Sequence, residues 1–329
     1  DMAHRLASFS FDKALRATLD RYAFDVVQFE GIEMMPYLST VLKGGTRPAK
    51  RSYLVFDDHN AEYLLQRRVF EMDMGTPKRW TGALYSWVQW QKLRRYEAWV
   101  MQHVDATVAV SKPDGEALSR IAPQPPISIV PNGIDVEAYA VHRIRQDRLP
   151  SHAMVFTGKM DFRPNVDAAL WFAEHVLPLI QQRIPDARFY IVGQRPHARL
   201  DALRDRPGVV ITGRVDETQP YIAGASVYVI PLRSGGGTRF KVLEAMAIGC
   251  PIVSTPMGCD GFPVTPNVEV LLAEEPLDFA EQVVDLMEDP ERRQQLVEAA
   301  STFVQAYDWS RIVPRLERVY AHLRDSERG

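Results

Sequence analysis

From residue 153 onward, short apolar runs rich in β-branched residues alternate with longer stretches of helical period. The runs are AMVFTG, RFYIVG, VVITG, SVYVIP, PIVST and VEVLLA. Between and after them, helices are predicted at about 166–183, 196–203, 217–223, 239–248 and 276–287. Runs that are apolar throughout, without alternation, belong to strands buried on both faces. Strands separated by helices form a parallel sheet with helices on either side. Right-handed crossovers bring the carboxyl ends of such strands to one edge. That edge should collect Gly158, Gly193, Gly213 and the loop at Gly235.

The first third of the chain is less regular but follows the same grammar. A helix is expected over 11–22, a buried strand over 25–29, and a helix over 33–42 with Pro36 near its start. The run RSYLVF at 51–56 reads as a strand that delivers Asp57, Asp58, His59 and Asn60 at its carboxyl end. A long helical stretch over 78–103 carries Trp80, Trp87, Trp90 and Trp99 with a basic sequence around them. The strand ATVAV follows, and Ser111 with Asp114 forms an N-cap and third-position pair for the next helix. Pro131, Asn132 and Gly133 make a turn cluster, so a domain boundary is expected between 131 and 150. A last amphipathic helix over 309–323 follows a break at Tyr307 and Asp308, and is expected to leave its domain and pack elsewhere. The class is α/β, with two Rossmann-like domains.

Composition narrows the chemistry. A length of 329 residues fits two domains, and 46% hydrophobic residues supply real cores. The formal charge of −3 gives no reason to expect nucleic acid. Cys250 and Cys259 are the only cysteines, which excludes a disulfide framework and fits a reducing compartment. No apolar run reaches the roughly 18 residues of a membrane span. The sequence contains no GxGxxG, no Walker spacing and no GxSxG elbow.

The most informative stretch is PLRSGGGTRFKVLEAMAIGCP, residues 231–251. Gly235, Gly236 and Gly237 end a strand and allow close approach to backbone N–H groups, and Thr238 is the expected N-cap of the following helix. Unpaired N–H groups at the positive end of a helix dipole bind anions, phosphate above all. Glu244 falls on an apolar side of that helix and needs a partner there, either a neighbouring loop or a ligand. Lys159, Arg163, Arg239 and Lys241 are the cations nearest these loops in the chain, and a bound diphosphate requires such counter-charge. The segment DDHN reads equally as a catalytic strand end bearing His59 or as an Asx-type turn. Adjacent Asp57 and Asp58 diverge and show no third ligand, so no metal site is expected. The tryptophan-rich helix reads either as core packing with solvated arginines or as a face for a membrane or acceptor.

These motifs together resemble the retaining sugar-nucleotide transferases of glycosyltransferase family 4, of GT-B fold. The resemblance rests on VPNGID, FTGKMDFRPN, YIVG, TGRV, GGGTRFKVLEAMAIGCPIVST, DDHNAEY and the ending YDWSRIVPRLERVY. Within the family it resembles bacterial exopolysaccharide-type members. It implies two Rossmann-like domains facing across a cleft, at 1–133 and 134–306, with a terminal helix over 307–329 crossing back to the first. It also implies that the N-terminal domain lacks its front strands. Glu244 would hold the ribose, and Gly235, Gly236, Gly237 and Thr238 the diphosphate and sugar. Lys159 beside Gly158 would hold phosphate, Arg214 and Val215 would lie beside the base, and His59 beside the sugar. Catalysis would fall to His59, Lys159 and Glu244. Two positions depart from the family pattern: Gly236 stands where a Glu is usual, and Asn165 where many members have a phosphate-binding Lys. Arg239 or Lys241 would then supply the missing charge. The implied reaction moves a sugar from a UDP- or GDP-sugar to a saccharide or lipid-linked hydroxyl with retention. It needs no metal or other cofactor and occurs in the cytoplasm, with peripheral membrane contact at the inner face. A sugar-nucleotide epimerase and a non-catalytic nucleotide-sugar-binding protein stand as alternatives.

Overall fold

A computed structural model describes residues 3, 5–43, 52–74, 80–123, 126–144 and 149–325. Two compact units emerge, Asp1–Pro131 with Val313–Gly329, and Asn132–Ile312.

The first unit opens with α1 (Phe9–Arg21), capped by the Ser8 hydroxyl, and β1 (Val26–Glu30). Pro36 has no N–H to donate, and the chain there takes a 3-10 turn, Ile32–Tyr37, before α2 (Leu38–Lys43), in place of the single helix predicted. Next come β2 (Tyr53–Asp58), α3 (Glu62–Met74), α4 (Trp80–Met101), β3 (Ala106–Ala109), α5 (Lys112–Ile121) and β4 (Ile127–Ile129). The four strands are parallel in the order β1-β2-β3-β4. Asp57 and Asp58 are strand residues, paired with Val108 and Ala109 of β3. The ladder holds both aspartates extended, and the Asn60 N–H lies against the Asp58 carboxyl, so the strand end and an Asx-type contact coexist in this segment. Ser111 caps α5 and accepts from the Asp114 N–H at 3.2 Å. Leu54, Phe56, Leu93, Met101 and Leu118 fill the main core. Val319 and Leu323, in the last helix, pack on Val55, Ala106 and Val108.

The second unit begins with α6 (Val136–Ala140), followed by β5 (Ala153–Thr157), α7 (Arg163–Trp171), a π turn at Phe172–Val176 and α8 (Leu177–Arg183). Then follow β6 (Arg188–Val192), β7 (Val209–Gly213), α9 (Gln219–Ala223), β8 (Val227–Ile230), α10 (Phe240–Ile248) and β9 (Ile252–Ser254). The series ends with β10 (Leu271–Leu272), α11 (Pro276–Glu288), α12 (Pro290–Val304) and α13 (Trp309–Asp325). The sheet runs β10-β9-β8-β5-β6-β7, all parallel. Every residue of β5, β8 and β9 is buried, as unbroken apolar runs require. Phe172, Phe189 and Phe279 interlock beneath the sheet, with ring centroids 4.4 and 5.6 Å apart. The strand order reverses between β5 and β8. In an open α/β sheet the ligand crevice lies at such a reversal, outside the carboxyl ends of the strands. Loops 158–162 and 231–239 leave the sheet there.

Candidate functional site

A cavity of about 370 Å³ opens at the carboxyl ends of β5, β6 and β7 in the second unit. It is lined by Thr157, Gly158 and Gly193 together with Lys159, Gln194, Arg214, Val215, Thr218 and Glu244. The first two strand ends meet so closely that a Cβ on Gly193 would stand 1.7 Å from the Gly158 carbonyl oxygen. Backbone bonds stitch them together: the Gly158 N–H donates to Val192 (3.1 Å) and the Met160 N–H to Gln194 (3.0 Å). Only glycine at 193 permits this approach.

Glu244 reaches the cavity from α10. Burial raises its pKa, while the Tyr139 hydroxyl, donating to Oε1 at 3.1 Å, and the Lys241 charge act in the opposite sense. A partly buried carboxylate with one hydroxyl donor retains acceptor capacity for a ligand hydroxyl. Lys159 is exposed and Arg214 lines the same cavity, so one cavity offers both signs of charge.

Of the residues singled out in the sequence, the structure gathers Gly158, Lys159, Arg214, Val215 and Glu244 around this cavity. Gly235, Gly236, Gly237, Thr238, Arg239 and Lys241 are outside its lining. Gly235 and Gly237 have φ of +107° and +82°, values that favour glycine and turn the chain into α10. Thr238 does not cap the helix. Arg239 occupies the N-cap position without a side-chain bond, and the buried Thr238 hydroxyl has no hydrogen-bond partner among the described residues. Arg239 is 7% exposed, and its Nε donates to the Met257 carbonyl at 3.3 Å, so it points into protein. Lys241 also turns inward, toward the Thr157 carbonyl and Asn165. Arg163 is exposed and pairs with Asp167 at 3.6 Å.

His59 belongs to the first unit. Its Nε2 lies 3.1 Å from Glu30 Oε2, and Gln28 donates to both Glu30 (2.7 Å) and Asp57 (3.1 Å). Burial, then the Glu30 charge, raises the Asp57 pKa to about 6, with His59 acting in the opposite sense. Glu30, Asp57 and His59 bring one ligand atom each within 4.8 Å of one another. The further ligand that the sequence did not show beside Asp57 is Glu30 of the neighbouring strand, and Asp58 is not one of the three. Sequence reasoning also missed Glu97, fully buried on α4, which accepts the N–H groups of Glu62 (2.7 Å) and Tyr63 (3.2 Å) at the start of α3. A glutamate at the spacing of Leu93 and Val100 is the signal that could have found it.

Residues 2–138 match the family model described as Glycosyltransferase Family 4, and residues 151–289 the model described as Glycosyl transferases group 1. Phosphatidyl-myo-inositol mannosyltransferase of Mycobacterium tuberculosis is 31% identical over 208 residues, 58% of this chain and 53% of that protein. The chain thus spans about half the length of this curated relative. An uncharacterized 44.6 kDa protein in the cps region of Klebsiella pneumoniae is 21% identical over 287 residues, covering 84% of this chain and 70% of that protein. Among solved structures, sucrose-phosphate synthase of Thermosynechococcus elongatus superposes with a TM-score of 0.70 at 18% identity, over 96% of this chain and 78% of its own. HepE of Anabaena in complex with UDP and glucose gives 0.66 at 14% identity, over 96% and 82%. These likenesses are of fold, and the shared fold is GT-B, two parallel α/β sheets with flanking helices.

Proposed function

The chain belongs to glycosyltransferase family 4, and on that premise we propose that it transfers a sugar from a nucleoside-diphosphate sugar to a hydroxyl acceptor with retention at the anomeric carbon. The observation that carries this reading is the cavity at the carboxyl ends of β5, β6 and β7, which Glu244 lines together with basic Lys159 and Arg214. Glu244 accepts the ribose hydroxyls, Arg214 and Val215 flank the base, and Lys159 meets the diphosphate. Charge that develops on the leaving diphosphate is stabilised by cations and backbone N–H groups already in place. This chemistry needs no metal in our reading. His59 is assigned to orienting the donor sugar on the strength of its motif. Complexes of structural neighbours with UDP and UDP-glucose support a nucleotide-sugar donor.

A lipid-linked or saccharide acceptor follows from two supports. The mycobacterial relative's name carries phosphatidyl-myo-inositol and a mannosyl group. In this chain, Trp80, Leu84, Tyr85 and Trp87 are 59%, 64%, 63% and 45% exposed on the first two turns of α4, with exposed Lys92, Arg94 and Arg95 beyond them. An aromatic and basic face of this kind suits the interface of an anionic bilayer and supports a reaction at the cytoplasmic face of a membrane. No helix of the described residues is long and apolar enough to cross one.

UDP, GDP and their sugars, tested as a thermal-shift panel, should include at least one that raises the melting temperature. Glu244→Ala should abolish that rise without lowering the melting temperature of the free protein. A wild-type chain indifferent to every nucleotide overturns the reading. Release of UDP or GDP that depends on an added acceptor separates a transferase from an epimerase, which turns over donor alone.

A further inference from the structure

Lys241 stands in the first turn of α10, one helical turn before Glu244, yet outside the cavity lining. Its ammonium donates to the Thr157 carbonyl at 2.8 Å and to Asn165 Oδ1 at 3.3 Å, and lies 4.3 Å from the centre of the Phe156 ring. Asn165 is buried, and its Nδ2 donates in turn to the Lys159 carbonyl at 3.0 Å. A Cβ on Gly158 would meet that Nδ2 at 2.6 Å, so the amide lies directly against the turn. One ammonium and one amide therefore hold the backbone carbonyls on both sides of Gly158, and Thr157, Gly158 and Lys159 all line the cavity. Among the described residues no carboxylate approaches this ammonium within the 4.0 Å of an ion pair. A half-buried cation set among neutral oxygens and a ring face lacks the close counter-charge that would secure its proton.

We propose that Lys241 is a positioning residue that takes up a proton from solvent when an anion enters the cavity, so that nucleotide affinity is linked to protonation of an ammonium the nucleotide does not touch. The inference rests on the reading of this cavity as a nucleotide-diphosphate site. The family resemblance offered Arg239 or Lys241 as counter-charge for the phosphate, and in this proposal Lys241 acts from behind the turn that presents Lys159.

The surrounding charges set the direction of the linkage. On its own helix Arg239 repels the ammonium and Glu244 attracts it, and burial is the largest influence, lowering its pKa to about 7. On the adjoining strand and α6, Tyr228 and Tyr139 face the same region. Burial pushes Tyr139 up to about 12 and Tyr228 higher still, so both stay neutral. Cys250, beyond them, is likewise pushed up to about 12. Lys159 and Arg214 are basic side chains of the cavity wall and make the empty site more positive. A bound diphosphate reverses that sign and favours the charged ammonium. Below about pH 7 Lys241 is charged with or without ligand, and no proton moves. Above it, the free protein has lost the proton and binding must recover it, so affinity falls as pH rises.

The test is titration calorimetry of the whole chain with UDP and GDP at pH 6.5, 7.5 and 8.5, in buffers of different ionisation enthalpy. Uptake of about one proton is expected at pH 8.5 and close to none at pH 6.5, with the Kd rising by up to about tenfold per pH unit above 7. Lys241→Met should abolish the uptake and weaken binding by roughly tenfold at pH 6.5, its fold checked by the melting temperature of the free protein. Lys241→Arg, whose charge does not titrate here, should bind with the pH slope removed. Wild-type binding without proton uptake at pH 8.5 overturns the proposal, as does undiminished uptake in either variant. Failure of both nucleotides to bind at every pH instead removes the donor-site reading beneath it.

Discussion

At the scale of single residues, the cavity depends on contacts that leave no room for a side chain. Gly193→Ala would force its new methyl into the Gly158 carbonyl oxygen, a backbone atom that cannot rotate away. The expected outcome is destabilisation by about 3 kcal/mol, the upper part of the range for overpacking. Loss of nucleotide binding should accompany it, because the turn that carries Lys159 must shift. Urea unfolding and a nucleotide thermal shift on the same variant measure both. Glu97 makes the converse case. It is a buried carboxylate held by two N–H donors of α3, its pKa raised by burial and opposed by those two bonds. Glu97→Ala would leave two buried donors without an acceptor, at a cost of about 2 kcal/mol or more. Glu97→Gln, which keeps one carbonyl acceptor, should recover part of that loss. Equal urea midpoints for the two variants would show that the capping bonds contribute little.

At the scale of elements, the strands were legible because β5, β8 and β9 are runs buried throughout, a pattern that a doubly covered sheet explains. The glycine loop and Glu244 were legible for a related reason, since residues that contradict an apolar helix or end a strand abruptly announce a ligand. Contacts that topology creates were not legible. Asn165 and Lys241 are 76 positions apart, and nothing local in either segment points to the other. Asp57 and Asp58 looked like turn residues because carboxylates are poor strand formers, and only pairing with Val108 and Ala109 draws them into the ladder. Helix α12 escaped notice because its start signal, Asp289 capping with Pro290 behind it, follows α11 without any intervening loop. Of the two readings of the tryptophan-rich helix, core packing holds for Trp90, and a membrane or acceptor face stays a proposal. Trp90 stacks on Phe70 at 6.0 Å and packs against the core, whereas Trp80 and Trp87 face outward. The basic pair Lys78 and Arg79 lies outside the described residues. Replacing Trp80 and Trp87 by serine should change stability by less than about 1 kcal/mol, since neither is buried. The double variant should lose binding to vesicles containing anionic phospholipid, measured by co-sedimentation at low salt. Unchanged sedimentation would remove the membrane from the proposed function.

At the scale of the whole molecule, buried titratable groups divide between the units in a way that shapes stability against pH. The first unit holds carboxyls that burial pushes upward: Asp57 to about 6, Glu62 to about 7, and Asp58 and Glu97 also raised. Between the ordinary carboxylate range and those values the folded chain binds more protons than the unfolded chain. Its stability therefore falls as pH rises from about 4 to about 7. The second unit adds Glu244, whose carboxyl burial also raises, and Lys241, lowered from 10.5 to about 7 and alone among these groups in moving downward. Between those values the unfolded chain binds more protons, and stability rises with pH. The two arms meet near neutrality, so urea midpoints should be lower at pH 7 than at either pH 5.5 or pH 8.5. Asp57→Asn combined with Glu62→Gln should make the acid arm shallower, by about 1 kcal/mol between pH 5.5 and 7 after allowance for the partial exposure of Asp57, and should leave the alkaline arm alone. Lys241→Met should do the reverse. An acid arm as steep in the double variant as in wild type would mean that these carboxylates keep their charge at little cost in the folded unit. The acidic cluster around His59 would then be a solvated surface feature and not a buried one.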